Sequence, residues 1–274
     1  MAFAFPGSGA LDYYPCRYGR SKLMFRGPRR DLDREYCAVL GGTETYGKFL
    51  TRPWPALTEG LTGRRMVNLG LVNAGPDVFL AEPEIIAMAS RARVTVVQVM
   101  GAANMTNAYY AVHPRRNDRF LRAEAALRQV YPGVDFTDFH FTRHLLLSLH
   151  QTAPDRFATL AEELRRTWVA RMRSLLTQIE SPTILLWMAD RPPPPAGQGS
   201  LACDPLLVDA GMVHAVRGHA SAYLEVVISD RARAEGLAGK SFAELERAAA
   251  EEVPGPLAHR EVADALAHAL RTLF

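Results

Sequence analysis

Five short apolar segments recur along the chain and predict buried β-strands. They cover residues 36–40, 66–71, 94–100, 183–188 and 223–228. Strands that are mainly apolar, without strict alternation of polar residues, are typical of parallel sheets, which are covered on both faces. Because helical patterns lie between these segments, the sequence predicts an α/β fold with a five-stranded, parallel, doubly wound sheet.

The interval between the third and fourth strands is long and polar enough to hold an insertion. Helices are predicted there at residues 118–130, 139–150 and 154–179. In the last of these, apolar residues recur every three or four positions, which indicates one buried face of an amphipathic helix. These residues are Phe157, Leu160, Leu164, Trp168, Met172, Leu175 and Ile179. We therefore expect a helical insertion at about residues 105–180, over the carboxyl edge of the sheet.

The remainder of the chain is predicted to form one domain preceded by an arm. Residues 1–35 are rich in Gly, Pro, Tyr and Arg and have no sustained period, so we expect an irregular segment. Residues 36–274 are predicted to form a single α/β domain. A chain of 274 residues with 48% hydrophobic and 22% charged residues can bury one large core.

Composition narrows the classes of function. The three cysteines, Cys16, Cys37 and Cys203, are too scattered for a disulfide framework or a zinc site, so a reducing cytoplasm is the expected compartment. We see no signal peptide and no membrane-spanning run. There is no recognised nucleic-acid motif, although the net charge is +3. No metal or other cofactor is predicted.

The loop after the first strand carries the first candidate site. Gly41 and Gly42 allow a tight turn after the apolar run, and side chains just beyond a strand end face the ligand-binding edge of open α/β sheets. The polar residues placed there are Thr43, Glu44, Thr45 and Lys48. The simplest alternative is a strand-to-helix turn without chemistry.

A phosphate-binding loop is a second interpretation of the same segment. Gly42 is followed by four residues and then by Gly47 and Lys48, the spacing of a P-loop. A P-loop should continue with Ser or Thr, whereas Phe49 follows here. This interpretation would make the chain a phospho- or sulfotransferase.

Polar or small residues after successive strands carry a resemblance to a known family. Thr43 follows the first strand, Gly75 the second and Asn104 the third, and His259 lies near the start of the last predicted helix. This order resembles that of the SGNH/GDSL hydrolases. The resemblance implies a flavodoxin-like sheet of the SGNH type, with Thr43 as nucleophile and His259 as base. It also implies that Gly75 and Asn104 stabilise an oxyanion.

Three departures from the family pattern bear on whether the chain could catalyse the family's reaction. Gly42 stands where the family has Asp, Thr43 stands in place of Ser, and Pro256 stands where an Asp should orient the His. The favoured prediction is an ester hydrolase or acyltransferase that acts on an anionic or carbohydrate-containing substrate. The alternative is a protein of the same fold that has lost catalysis and binds a glycan or an anion.

A basic segment beyond the third strand suggests a ligand with an anionic group. His113, Arg115, Arg116 and Arg119 are close together in the sequence, and arginine binds carboxylate, sulfate or phosphate through its forked donors. Part of this segment could instead begin the following helix. The chain also resembles an uncharacterised bacterial domain family with GGTETYGKF, NAGPD and HPRRNDRF segments. That family resemblance implies a site location and no reaction.

Overall fold

A five-stranded sheet organises the protein, and all of its strands are parallel. The computed structural model describes residues 9–273. The strand order is β2-β1-β3-β6-β7. This is the flavodoxin-like order, so the predicted fold class is confirmed. The strands are β1 Cys37–Leu40, β2 Met66–Asn68, β3 Val94–Gln98, β6 Thr183–Ala189 and β7 Ala222–Val227.

Helices connect the strands and cover the sheet. Short 3-10 turns lie at Phe136–Asp138 and Glu244–Glu246. The α-helices are α1 Thr43–Tyr46, α2 Trp54–Thr62, α3 Pro76–Leu80, α4 Pro83–Arg91, α5 Ala125–Val130, α6 Thr142–Thr152, α7 Pro154–Gln178, α8 Ala210–Arg217, α9 Asp230–Arg233, α10 Arg247–Glu251 and α11 Pro256–Leu273.

Each face of the sheet has its own hydrophobic core, because successive side chains of a strand point to opposite faces. On one face Leu40 and Leu185 pack with residues of α3, α4, α7 and α8. On the other face Val39 and Ile184 pack with residues of α2, α9 and α11. The sheet is therefore doubly wound.

Helix α7 buries the amphipathic face that the sequence predicted. Trp168 is fully buried in the middle of this helix, and its indole N–H donates a hydrogen bond to the Met100 carbonyl oxygen at 2.6 Å. Met100 lies just beyond the end of β3. The contact therefore fixes the helix against the edge of the sheet at which the strands end.

The insertion differs from the prediction, because it begins with a β-hairpin. Strand β4, Tyr110–His113, pairs antiparallel with β5, Arg116–Ala123, so the helix predicted at residues 118–130 is wrong for its first half. Phe120 and Ala123 are buried three positions apart, which is the spacing of a helix face. Irregular register in the hairpin produces this spacing, since the pairing shifts on both sides of Val112.

The described part of the arm, residues 9–35, has no helix or extended strand. One isolated bridge joins Cys16 to Phe25, and Arg26 donates hydrogen bonds to the carbonyl oxygens of Gly47 and Leu50, at 2.6 Å each. The arm thus holds the loop that follows α1. Residues 1–8 of the predicted arm lie outside the described residues. Within residues 9–273 no helix is both long and apolar enough to cross a membrane.

Replacing Leu185 by Ala should destabilise the protein strongly. Leu185 is in β6, inside the sheet, and its side chain is 0% exposed, so truncation leaves a cavity. We expect the free energy of unfolding to fall by about 2–5 kcal/mol in urea titrations. The matched control is Leu245→Ala, because Leu245 is 101% exposed and should change stability by less than about 0.5 kcal/mol. Equal effects of the two substitutions would contradict the buried position of β6.

Candidate functional site

A cavity of about 350 Å³ lies at the carboxyl ends of the strands. Residues after β1, β2 and β3 form part of its wall, and the start of α6 and the loop after β6 form another part. We call it the first cavity. Its lining includes Thr43, Glu44, Lys48, Asn73, Gln98, Asn104, Asp118, Phe141, Thr142, Arg143, Met188, Asp204, Ala249, Glu252 and Val253.

The Thr43 hydroxyl is held by Asn73 from the neighbouring loop. The backbone N–H of Asn73 donates to Thr43 Oγ1 at 2.9 Å, and Thr43 Oγ1 donates to Asn73 Oδ1 at 3.1 Å. The side-chain amide of Asn73 in turn donates to Asp118 at 3.1 Å. An amide oxygen accepts a hydrogen bond but is too weak a base to take the proton. The contacts of Thr43 therefore position its hydroxyl without activating it.

Gly75 packs directly against the backbone of Asn104, in the loop after β3. A β-carbon built on Gly75 would lie 1.8 Å from the Asn104 carbonyl oxygen, so only glycine fits. The Asn104 side-chain amide donates to the Asn73 carbonyl oxygen at 2.9 Å, and its Oδ1 accepts from the Thr142 hydroxyl at 2.6 Å. The structure therefore brings Thr43, Gly75 and Asn104 together, but one of the two N–H donors of the Asn104 amide is already engaged.

The second oxyanion donor that the resemblance implied is engaged as well. The backbone N–H of Gly75 donates to Asn117 Oδ1 at 3.3 Å, and the N–H of Val78 donates to the same oxygen at 3.0 Å. Asn117 is buried, and its amide donates to the His113 carbonyl oxygen at 3.2 Å. Asn117 therefore fixes the loop after β2 against the hairpin, whereas its sequence position suggested only a cap of the following helix.

Glu44 is the carboxyl group closest to Thr43 in the sequence, and it also faces the cavity. Gln98, at the end of β3, donates to Glu44 Oε2 at 2.8 Å. Burial raises the pKa of the Glu44 carboxyl, and the neighbouring Asp204 carboxylate raises it further. Thr45 has a different role from the one predicted, because it is fully buried and bonds to Gln98 Oε1. Thr45 is therefore a structural residue and cannot reach a ligand.

Lys48 lines the cavity but is already paired. Its ammonium nitrogen is 3.4 Å from Glu246 Oε1 and 4.5 Å from the centre of the Phe49 ring. In a P-loop, backbone N–H groups surround the phosphate. Here Arg26 instead contacts the carbonyl oxygens of Tyr46 and Gly47 from outside the loop. These contacts do not favour the phosphate-binding interpretation.

His259 is not placed to act on Thr43, so its predicted role as base needs correction. It does not line the first cavity, its exposure is 1%, and it belongs to the first turns of α11. His259 Nδ1 accepts a hydrogen bond at 3.0 Å from the backbone N–H of Trp54, the first residue of α2. Burial lowers the pKa of His259 to about 3, and the charges of Arg26 and Lys240 add to this effect. His259 is therefore a neutral, buried histidine that accepts a hydrogen bond from the first turn of α2.

The predicted anion fork also does not reach the cavity. His113 is the last residue of β4 and Arg115 lies in the hairpin turn, where its backbone N–H donates to His113 Nδ1 at 3.2 Å. Arg115, Arg116 and Arg119 are exposed, and neither they nor His113 line the first cavity. Arg119 instead lies over the ring of Phe141, with 5.5 Å between its guanidinium carbon and the ring centre.

Carboxyl groups outnumber basic groups around the first cavity. Its acids are Glu44, Asp118, Asp204 and Glu252, and its bases are Lys48 and Arg143. Arg143 Nη1 lies 3.3 Å from Asp204 Oδ2 and 4.0 Å from Glu252 Oε2. Both basic groups are therefore neutralised by the protein itself.

Gly75→Ala should disrupt the packing of the two loops. The added methyl group overlaps the Asn104 carbonyl oxygen, so the backbone must move. We expect the free energy of unfolding to fall by about 1–3 kcal/mol or more, measured in urea. Gly218→Ala is the control, because nothing lies within 4 Å of its β-carbon position. A change of less than about 0.5 kcal/mol at both positions would contradict the close approach.

The buried His259 should make stability dependent on pH. Its folded-state pKa of about 3 lies below the unfolded value of about 6.5, so the unfolded chain binds an extra proton between these values. The contribution of neutral His259 to the free energy of unfolding is therefore complete above a pH of about 6.5. It is lost as the pH falls, by about 1.4 kcal/mol per pH unit. His259→Asn keeps an acceptor for Trp54 and should flatten the curve measured by urea unfolding at pH 7, 6 and 5.

The matched control for this experiment lies on the same helix. His268 is also in α11 but is exposed, so His268→Asn should retain the pH dependence of the wild type. If His259→Asn and the wild type lose stability equally as pH falls, then His259 is not buried in its neutral form.

Solved structures that resemble this chain include lipases and esterases of low sequence identity. A lipase from a goat rumen metagenome, Lip_vut3, is 13% identical and has a TM-score of 0.45, covering 86% of this chain and 97% of its own. The acetyl xylan esterase Est2A from Butyrivibrio proteoclasticus is 11% identical and has a TM-score of 0.44. That match covers 90% of this chain and 66% of the esterase.

The family assignment comes from the comparison with protein-family models. No curated protein matches the chain. A single family model covers residues 1–274, and its description is a domain of unknown function (DUF6473). The match spans the whole sequence, including the loops that build the first cavity. The chain therefore belongs to the DUF6473 family.

Proposed function

We propose that this protein binds a neutral, hydroxyl-rich small molecule such as a carbohydrate in the first cavity, without hydrolysing esters through a hydroxyl–imidazole pair. The observation that carries the proposal is the environment of Thr43. Its hydroxyl is held by Asn73, and no histidine lines the first cavity among the described residues, 9–273. A hydroxyl nucleophile needs a neighbouring base, and the imidazole that would supply it lies in the core.

The polar groups of the cavity suit hydroxyl groups of a ligand. Side-chain amides both donate and accept, and carboxylates accept from hydroxyls. Amides are present in Asn73, Gln98 and Asn104, and among the described residues each NH2 group donates once within the protein and keeps a second N–H for a ligand. Glu44 supplies a carboxyl group that stays partly exposed. Phe141, which is 45% exposed, adds an apolar surface to the wall. A few polar groups that converge beside an aromatic ring are typical of small-molecule sites.

The charges argue against an anionic ligand. Four carboxyl groups face the cavity, whereas Lys48 and Arg143 are each within 4.0 Å of a carboxylate of the protein. An added anion would have to compete with these partners and would meet the remaining negative charge. This balance supports a neutral ligand over the anionic substrate that the sequence suggested.

Titration calorimetry tests the proposal with matched ligands. We expect glucose, galactose or xylose to bind, and glucuronate and galacturonate to bind at least about tenfold more weakly because they add a carboxylate. Glu44→Gln and Phe141→Ala should weaken binding of the neutral sugar by about tenfold. Arg115→Ala is the control, because Arg115 is exposed and outside the cavity. Tighter binding of the uronic acids would contradict the proposed ligand class.

A second candidate is ester hydrolysis or acyl transfer in the same cavity. The observation in its favour is Glu44, because a carboxyl group with a raised pKa is a better base near neutral pH. In that case Glu44 would take the proton of the Thr43 hydroxyl. The two candidates give opposite results with short aryl esters. Turnover by the wild type that is lost in both Thr43→Val and Glu44→Gln would favour the enzyme and contradict simple binding.

A further inference from the structure

A second cavity of about 480 Å³ lies beside the first. The ends of β6 and β7, helix α9 and the loop before α11 form its wall. The two cavities share six lining residues, which are Glu44, Arg143, Met188, Asp204, Glu252 and Val253. Each volume lies within the range of about 300–1,000 Å³ that is typical of small-molecule sites.

Three exposed, ion-paired side chains form part of the boundary between the cavities. Arg143 at the start of α6 bridges Asp204, in the loop after β6, and Glu252, which follows α10. The three side chains are 43%, 57% and 70% exposed, respectively. Exposed ion pairs contribute little to stability, so hydroxyl groups of a ligand can replace these contacts.

The second cavity combines apolar walls with basic side chains that already have partners within the protein. Met188, Ile228 and Val253 supply apolar surface. Arg191 pairs with Asp190 through two contacts, of 2.9 and 2.8 Å. Lys240 donates to the carbonyl oxygens of Ala250 and Val253 at 2.7 and 2.5 Å. Arg233 also lines this cavity and pairs with Asp230. These basic groups are therefore occupied, as in the first cavity, and the second cavity suits the same kind of neutral ligand.

Glu44 connects the two sites. It lines both cavities, and Gln98 holds one of its carboxyl oxygens. No basic side chain lies within 4.0 Å of its carboxyl group in the part of the chain that the structure describes. A carboxyl group without a charged partner at the boundary can bond to a hydroxyl of a ligand that extends across it.

We infer that the two cavities form one cleft, which binds a linear neutral oligosaccharide of at least two units, with Glu44 contacting the chain where it crosses between them. This inference rests on the proposed function, because it extends the same site. A single sugar occupies only the first cavity, and the second unit displaces the ion pairs of Arg143.

Two alanines allow each cavity to be blocked separately. Ala249 lines only the first cavity and Ala202 lines only the second, and both are exposed, so a larger side chain can be accommodated without disturbing the core. The variants are Ala249→Trp and Ala202→Trp. Calorimetric titrations of each use xylose to xylotetraose and glucose to cellotetraose.

For the wild type we expect affinity to rise by about tenfold or more from one unit to three in at least one series. Ala202→Trp should remove this gain but bind the single sugar as the wild type does, which also shows that the variant is folded. Ala249→Trp should weaken binding of every member. Affinity that does not increase with chain length, or an increase that survives in Ala202→Trp, would overturn the inference alone. If no sugar of either series binds the wild type, the proposed function fails as well.

Discussion

The arrangement of the site depends on the hydrogen bonds of one residue, Asn73. Its backbone N–H and side-chain oxygen hold Thr43, its carbonyl oxygen accepts from Asn104, and its side-chain amide donates to Asp118. Four separate segments are joined in this way: the loops after β1, β2 and β3, and the β4–β5 hairpin. Asn73 has a positive φ of 55°, a conformation that asparagine adopts more readily than most residues. Asparagine therefore suits this position for two reasons: it tolerates the positive φ, and its side-chain amide supplies both the acceptor and the donor of the network.

The same network limits the chemistry of the site. Preorganised donors stabilise an oxyanion only when they are free to point at it. Here one N–H of the Asn104 amide donates to Asn73 and the N–H of Gly75 donates to Asn117, so closing the loops against each other uses two of the donors that catalysis would need. Among the described residues, each NH2 group of Asn73, Gln98 and Asn104 donates once within the protein, so its second N–H can bind a ligand in a pocket that is already rigid.

Much of the fold could be predicted because it depends on local patterns. Strands that are buried on both faces appear in the sequence as continuous apolar runs. The buried face of α7 appears as apolar residues every three or four positions. The β4–β5 hairpin could not be found in this way. Its shifted register buries Phe120 and Ala123 at helical spacing, and the pairing of distant residues leaves no trace in a short window. The positions of the exposed arginines depend on the same hairpin, so the sequence could not show that they lie outside the first cavity.

Two patterns in the sequence give different interpretations of His259: a catalytic motif and the apolar periodicity of a helix. Its spacing from Pro256 resembles an Asp-x-x-His pair, but His259 also stands three and seven residues before Val262 and Leu266, on the buried face of α11. Pro256 is the first residue of α11, a position where its missing N–H costs nothing. His259 then accepts the N–H of Trp54, one of the donors that a helix start leaves unpaired. Pro256 and His259 therefore start one helix and cap another, and the absence of an orienting acid has no consequence for that role.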